Sequence, residues 1–138
     1  MKAVVQRVSS AAVTVGGEES SRIGPGMLVL LGVGRADGPA EAERMANKIA
    51  KLRMFEDEDG RMNDPLGARE IICVSQFTLY GDVSAGNRPG FKEAAPGEEA
   101  EALYEDVCER LGAKRGVFGA DMRVEIIGDG PVTILIDI

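Results

Sequence analysis

The fold turns on residues 24–39, Gly24-Pro25-Gly26-Met27-Leu28-Val29-Leu30-Leu31-Gly32-Val33-Gly34-Arg35-Ala36-Asp37-Gly38-Pro39. Met27 to Leu31 is an unbroken apolar run between glycines, which predicts a short strand buried on both faces. Asp37-Gly38-Pro39 then opens a helix, since proline in a first turn gives up only an N–H that has no partner there. Ala42, Met45, Ile49 and Leu52 follow at steps of three and four, so one face of that helix docks on the sheet. Gly32-Val33-Gly34 also begins like a dinucleotide-binding fingerprint. Its last required position holds Asp37 instead of Gly or Ala, and the stretch reads as a glycine turn.

Working outward, residues 2–8 and 12–15 are rich in valine, and the turn at Gly16-Gly17 suggests a strand pair. Beyond Phe55, residues 56–69 are polar and contain the turn formers Asp59-Gly60 and Asn63-Asp64-Pro65. The acidic run from Asp57 fails as a calcium loop, because Arg61 and Met62 stand where Asp or Asn and Gly belong. Glu70 to Tyr80 reads as the next strand, and residues 81–97 as a Gly/Pro-rich loop long enough to suggest function. A second amphipathic helix carries Leu103, Val107 and Leu111. The chain closes with Val124–Ile127, Gly128-Asp129-Gly130-Pro131 and Val132–Ile136, a hairpin pattern. No boundary or repeat interrupts residues 1–138. The expected fold is one mixed α/β domain, an antiparallel or mixed, barrel-like sheet packed with two main helices.

Composition narrows the chemistry. Among 138 residues there is no histidine, so a Ser-His-Asp or Cys-His pair and a His-ligated zinc are excluded. Cys73 and Cys108 are too few for a four-thiolate site, and their apolar surroundings suggest buried free thiols in a reducing compartment. No metal site is expected. The N-terminus meets charge too early for a signal peptide, and Met27–Val33 is far short of the ~20 residues of a membrane helix. A soluble, cytoplasmic protein with no membrane partner is expected.

The net charge is −7, but residues 1–55 carry eight basic and five acidic groups, and residues 56–138 eight and eighteen. The halves are therefore +3 and −10. Affinity for an extended duplex comes mostly from phosphate neutralisation, so DNA binding is not expected. A short RNA end is compatible with a local basic face.

Ser75-Gln76-Phe77-Thr78-Leu79-Tyr80-Gly81-Asp82 gathers hydroxyl and amide groups toward the end of an apolar segment. Two readings fit equally: the wet face of a half-buried strand, or a strand end that presents donors to a carbonyl as an oxyanion hole.

The chain resembles the D-aminoacyl-tRNA (D-tyrosyl-tRNA) deacylases from end to end. The resemblance is carried by Val5-Gln6-Arg7-Val8, Arg22-Ile23-Gly24-Pro25-Gly26, Lys51-Leu52-Arg53-Met54-Phe55, Ser75-Gln76-Phe77-Thr78-Leu79, Asn87-Arg88-Pro89, Phe118-Gly119-Ala120 and Gly130-Pro131-Val132-Thr133. It implies a homodimer that hydrolyses the ester of D-aminoacyl-tRNA at the acceptor end, and glycyl-tRNA mischarged on alanine tRNA, without a cofactor. It further implies catalytic roles for Ser75, Gln76, Phe77 and Thr78, with the Phe77 N–H as oxyanion donor. Gly130 and Pro131, joined by a cis peptide bond, would enter the partner's site and exclude L-amino acids. Arg7 would support that loop, Phe118, Gly119, Ala120 and Met122 would line the adenosine side, and Arg88 and Lys92 would meet phosphates. Gly128 stands where the family usually has Asn, and the turn is expected to survive because both residues tolerate a left-handed backbone. The alternative is a non-catalytic nucleic-acid or protein binding module on the same fold.

Overall fold

The computed structural model describes residues 1–138. Strand β1 (Lys2–Val15) is its axis, paired along both edges. On one edge, residues 2–8 run antiparallel to β3 (Gly26–Gly32), and residues 11–15 to β2 (Glu18–Ile23), which Gly16 and Gly17 reach through positive φ of 58° and 83°. On the other edge lies β8 (Arg123–Asp137), antiparallel almost throughout. Helix α1 (Pro39–Ala50) returns the chain so that β6 (Glu70–Ser75) lies parallel to β3, and β7 (Lys114–Arg115) extends the sheet beside β6. Between them, β4 (Phe55–Glu56) and β5 (Met62–Asp64) form a small hairpin, and helix α2 (Gly97–Leu111) packs on α1. The sheet curls until its far edges nearly meet. Ser21 Oγ donates to Arg115 O and Lys114 Nζ to Arg22 O, each at 2.8 Å, which makes a nearly closed barrel.

Two apolar clusters fill this frame. Val5, Met27, Val29 and Leu31 meet Met45 and Ile49 of α1 and Tyr104 and Val107 of α2 on the helix side. Val8, Val13, Ile23, Leu28, Ile72 and Val74 fill the curl of the sheet. The buried run Met27–Leu31 therefore serves both clusters, with alternate residues on opposite faces. Cys73 and Cys108 are buried free thiols. Met45 and Ile49 are buried on α1 as their spacing predicts, and Pro39 occupies its first turn. On α2 the fully buried stripe is Tyr104, Val107 and Cys108, one residue round from the expected Leu103 and Leu111, which are half-buried. In the acidic turn, the Asp57 carboxylate accepts the N–H groups of Asp59 and Arg61.

Three local expectations are corrected. The strand from Glu70 stops at Ser75, and Phe77–Tyr80 is a 3-10 turn. Its parallel partner β3 ends at Gly32, so beyond the Gln76 N–H, which donates to Leu31 O at 2.8 Å, no ladder remains to join. Residues 124–136 are not a hairpin but parts of β8, because β1 is long enough to pair with both halves. Gly128 does not adopt positive φ. It lies in the ladder opposite Val8 with open space around it, so this position makes no demand for a left-handed residue.

Candidate active site

At the end of β6 the chain leaves the sheet and turns. Ser75 is the last paired residue, opposite Leu31, and the 3-10 turn begins two residues later. Hydrogen bonds inside the turn start from the Leu79 N–H, which donates to Gln76 O at 3.3 Å. The N–H groups of Phe77 and Thr78 precede it and have no acceptor within the turn. Phe77 is 57% exposed and lies at the surface of the turn. Gln76 Nε2 donates to Thr78 Oγ1, tying the two polar side chains together. The Phe77 ring meets Phe91 of the long loop edge-on, with centroids 5.0 Å apart.

This turn borders a cavity of about 520 Å³. Ser75, Gln76 and Phe77 form one wall, and Phe118, Gly119, Ala120 and Met122 another. Two segments more than 40 residues apart in sequence are thus brought to one site. Of the remaining wall, Ala100 and Tyr104 come from α2, and Asp121 is the one charged lining residue. The Tyr104 hydroxyl is spent inside, donating to Cys73 O at 2.8 Å, and burial pushes its phenol well above the usual range. The cavity is consequently an apolar chamber with polar groups at the turn. Its size suits a nucleoside-sized ligand, within the ~300–1,000 Å³ usual for small-molecule sites. Nothing in the sequence marked Ala100 or Tyr104, because pocket-facing and core-facing residues share one helical pattern, and Asp121 carried no signal of its own.

Thr78 is exposed and does not line the cavity. Arg88 and Lys92 also stay outside it. They are exposed on the 81–97 loop, where the Lys92 carbonyl, not its ammonium, accepts from Arg35 Nε at 2.5 Å.

Gly130 and Pro131 lie elsewhere in the same chain. Gln6 pairs with Thr133 and Val8 with Gly128, so Asp129 to Val132 stand opposite Arg7 alone and bulge from β8. The Gly130–Pro131 peptide bond is cis, and Gly130 has φ +141°, a region that L side chains rarely adopt. Arg7 anchors the bulge from beneath. Its side chain is buried, donating Nε to Asp129 O and Nη1 to Met54 O, both at 3.1 Å. Carboxylates of Asp129 and Glu56 balance its charge at 3.4 and 4.0 Å. The bulge belongs to the row Arg7–Met27–Ile71, whereas Ser75 belongs to the row Ala3–Leu31–Ser75. Four residues along the strands, about 13 Å, and three strand spacings, about 14 Å, separate them along the sheet.

A nearly closed mixed sheet, with a turn-capped parallel strand beside an apolar chamber, is the class of domain defined here. Its family follows from sequence and structure together. The D-Tyr-tRNA(Tyr) deacylase family model matches residues 4–137, and the chain belongs to that family. It is 55% identical to the D-aminoacyl-tRNA deacylase of Symbiobacterium thermophilum, over 99% of this chain and 95% of that protein. The D-aminoacyl-tRNA deacylase of Anaeromyxobacter dehalogenans is also 55% identical, with 99% and 97% covered. Among solved structures, a protein described as c-Myc DNA Unwinding Element Binding Protein superposes with a TM-score of 0.94 at 49% identity, covering 99% and 98% of the two chains. A probable eukaryotic D-amino acid tRNA deacylase shares the fold at TM-score 0.79 and 17% identity, with the same coverage.

Proposed function

We propose that this protein is a hydrolase that cleaves the ester of D-aminoacyl-tRNA, releasing the D-amino acid and free tRNA. The observation that carries this reading is the unengaged N–H of Phe77, a residue of the cavity wall, with the unengaged N–H of Thr78 next to it in the turn. Family membership supports the substrate class, a D-aminoacyl-tRNA, and we extend it to glycyl-tRNA mischarged on alanine tRNA. The terminal adenosine enters the cavity beside Phe118, Gly119, Ala120 and Met122, and the ester carbonyl lies against the turn. Ser75 and Gln76 shape the carbonyl pocket. Water adds to the carbonyl carbon, and the oxygen that gains charge is held by the Phe77 N–H. The bond to the ribose oxygen then breaks, and that oxygen takes a proton.

No histidine is available as base, from this chain or from an identical partner. Orientation and main-chain donors carry the reaction, helped by the neighbouring 2′-hydroxyl. One oxyanion donor is worth roughly 2.7–4 kcal/mol, and an aminoacyl ester is already activated. Thr78 acts through its main chain and its bond to Gln76 and is not the nucleophile. No cofactor or metal is needed.

The chiral gate is supplied in trans by a homodimer. The Gly130-Pro131 bulge is distant from its own chain's Ser75 along the sheet, and β8 exposes Ile126, Ile127 and Leu135, the last at 77%. Such an edge with apolar side chains calls for cover. Seated in the partner's site, the bulge meets the α-amino group and leaves no room for an L side chain. Arg88 and Lys92 meet the tRNA backbone, and the protein works in the cytoplasm.

Incubating the purified protein with D-tyrosyl-tRNA and L-tyrosyl-tRNA tests the reading. The D-ester is expected to be hydrolysed at least a hundredfold faster. Equal inertness toward both, in a folded protein, contradicts it and favours a binding role.

A further inference from the structure

The glycine pair that begins like a dinucleotide fingerprint lies beneath the catalytic turn. A Cβ on Gly32 would come within 3.0 Å of Gln76 O and 3.2 Å of Leu79 Cβ. A Cβ on Gly34 would come within 2.6 Å of the Tyr80 hydroxyl oxygen and 2.8 Å of Cζ. The two glycines are therefore a floor on which the turn and its last residue rest, and a methyl group at Gly34 would have to displace the phenol. The position that spoils the fingerprint completes this floor. Asp37 Oδ2 accepts the Gly34 N–H at 2.6 Å and the Tyr80 hydroxyl at 3.3 Å, and Oδ1 accepts from the Met1 amino group at 2.7 Å. Its side chain is only 7% exposed, so these bonds are shielded from water. Burial and then the Asp37 carboxylate push the Tyr80 phenol up, which keeps it a donor.

We infer that Gly32-Val33-Gly34 and Asp37 form a seat that holds the 3-10 turn through Tyr80, making Asp37 and Tyr80 positioning residues for the Phe77 and Thr78 N–H groups. The inference deepens the deacylase reading and rests on it for its catalytic part. Tyr80 ends a turn of four residues, so any tilt at that end is transmitted to its first two amides. Misplacing an oxyanion donor by a fraction of an ångström weakens it in the transition state while leaving ground-state contacts in the cavity intact.

Tyr80→Phe removes the bond to Asp37 and keeps the ring, including its place beneath the Lys2 ammonium 5.1 Å from the centroid. The result expected on D-tyrosyl-tRNA is a kcat lowered roughly five- to tenfold, the loss of about one hydrogen bond, with KM within about twofold and Tm lowered by no more than a few degrees. Amide exchange at Leu79 and Gly81, whose N–H groups donate to Gln76 O and Thr78 O and so hold the turn closed, should quicken in the same variant when followed by NMR. A wild-type kcat, or a fall in kcat that merely tracks a lowered Tm, overturns the inference. If the wild-type protein itself leaves D-tyrosyl-tRNA intact, the deacylase reading fails. The amide exchange then still decides the seating, because unchanged exchange at both residues contradicts it.

Discussion

Two irregularities carry the account, and they are opposites. The turn at Phe77–Tyr80 forms where a strand runs out of partner, and its exposed groups are N–H donors beside an apolar chamber. The bulge at Asp129–Val132 forms where a strand has a partner but too many residues for it, and Pro131 brings no N–H. The first is held from below by glycines, Tyr80 and Asp37; the second by one buried guanidinium. A turn at a strand end is cheap to seat because its main chain is already leaving the ladder. A bulge of four residues in mid-strand needs an internal anchor, and Arg7 provides bonds to both the bulge and the far side, at Met54 O.

The largest effect should therefore come from the bulge. Arg7→Ala strands two carbonyls and leaves a cavity, a loss of roughly 2–4 kcal/mol. In a domain of this size that lowers Tm by about 6–12 °C. Hydrolysis of D-tyrosyl-tRNA should fall more than tenfold, and calorimetry beside the deacylation assay checks both. An Arg7→Ala protein with normal Tm would remove the anchor from the comparison.

Gly130→Ala should act more narrowly. At φ +141° a Cβ would lie 2.5 Å from Val132 N, so the bulge must rearrange while the rest of β8 keeps its pairing with β1. The expected outcome is a Tm within a few degrees of wild type, together with a D-over-L preference reduced at least tenfold. Paired rates on D- and L-tyrosyl-tRNA measure it. Intact preference would mean that the bulge is not the gate.

The contrast also explains what could be read in the sequence. The buried strand at Met27–Leu31, α1 with its Pro39, and the Gly16-Gly17 connection were legible because local pattern and tertiary role coincide there. Both irregularities were misread locally for the same reason. Phe77 and Leu79 prolong the apolar character of β6 two and four residues past Ser75, yet the ladder ends because β3 ends. Gly128-Asp129-Gly130-Pro131 has hairpin composition, yet β1 extends past it on both sides. Strand termination by a missing partner and strand continuity imposed by a long one are non-local facts. Of the candidate site, Ser75, Gln76, Phe77 and Phe118–Ala120 emerged through resemblance to a family, and the structure gathers them at one cavity. The part played by α2 was not legible, since Ala100 and Tyr104 look like any other residues on a buried stripe. Nor was the floor of glycines, whose spacing mimics a nucleotide motif while its function is close approach to Tyr80.

In the proposed mechanism, main-chain donors with water as nucleophile perform the reaction in a protein without histidine. Single-turnover hydrolysis of D-tyrosyl-tRNA by Thr78→Ala tests it most directly, with mass spectrometry of the quenched wild-type enzyme alongside. The variant should keep the rate within roughly tenfold, the reach of losing one side-chain hydrogen bond to Gln76, and no acylated protein should accumulate. A rate lost by several orders of magnitude, with an acyl group trapped on Thr78 of the wild-type enzyme, would contradict it.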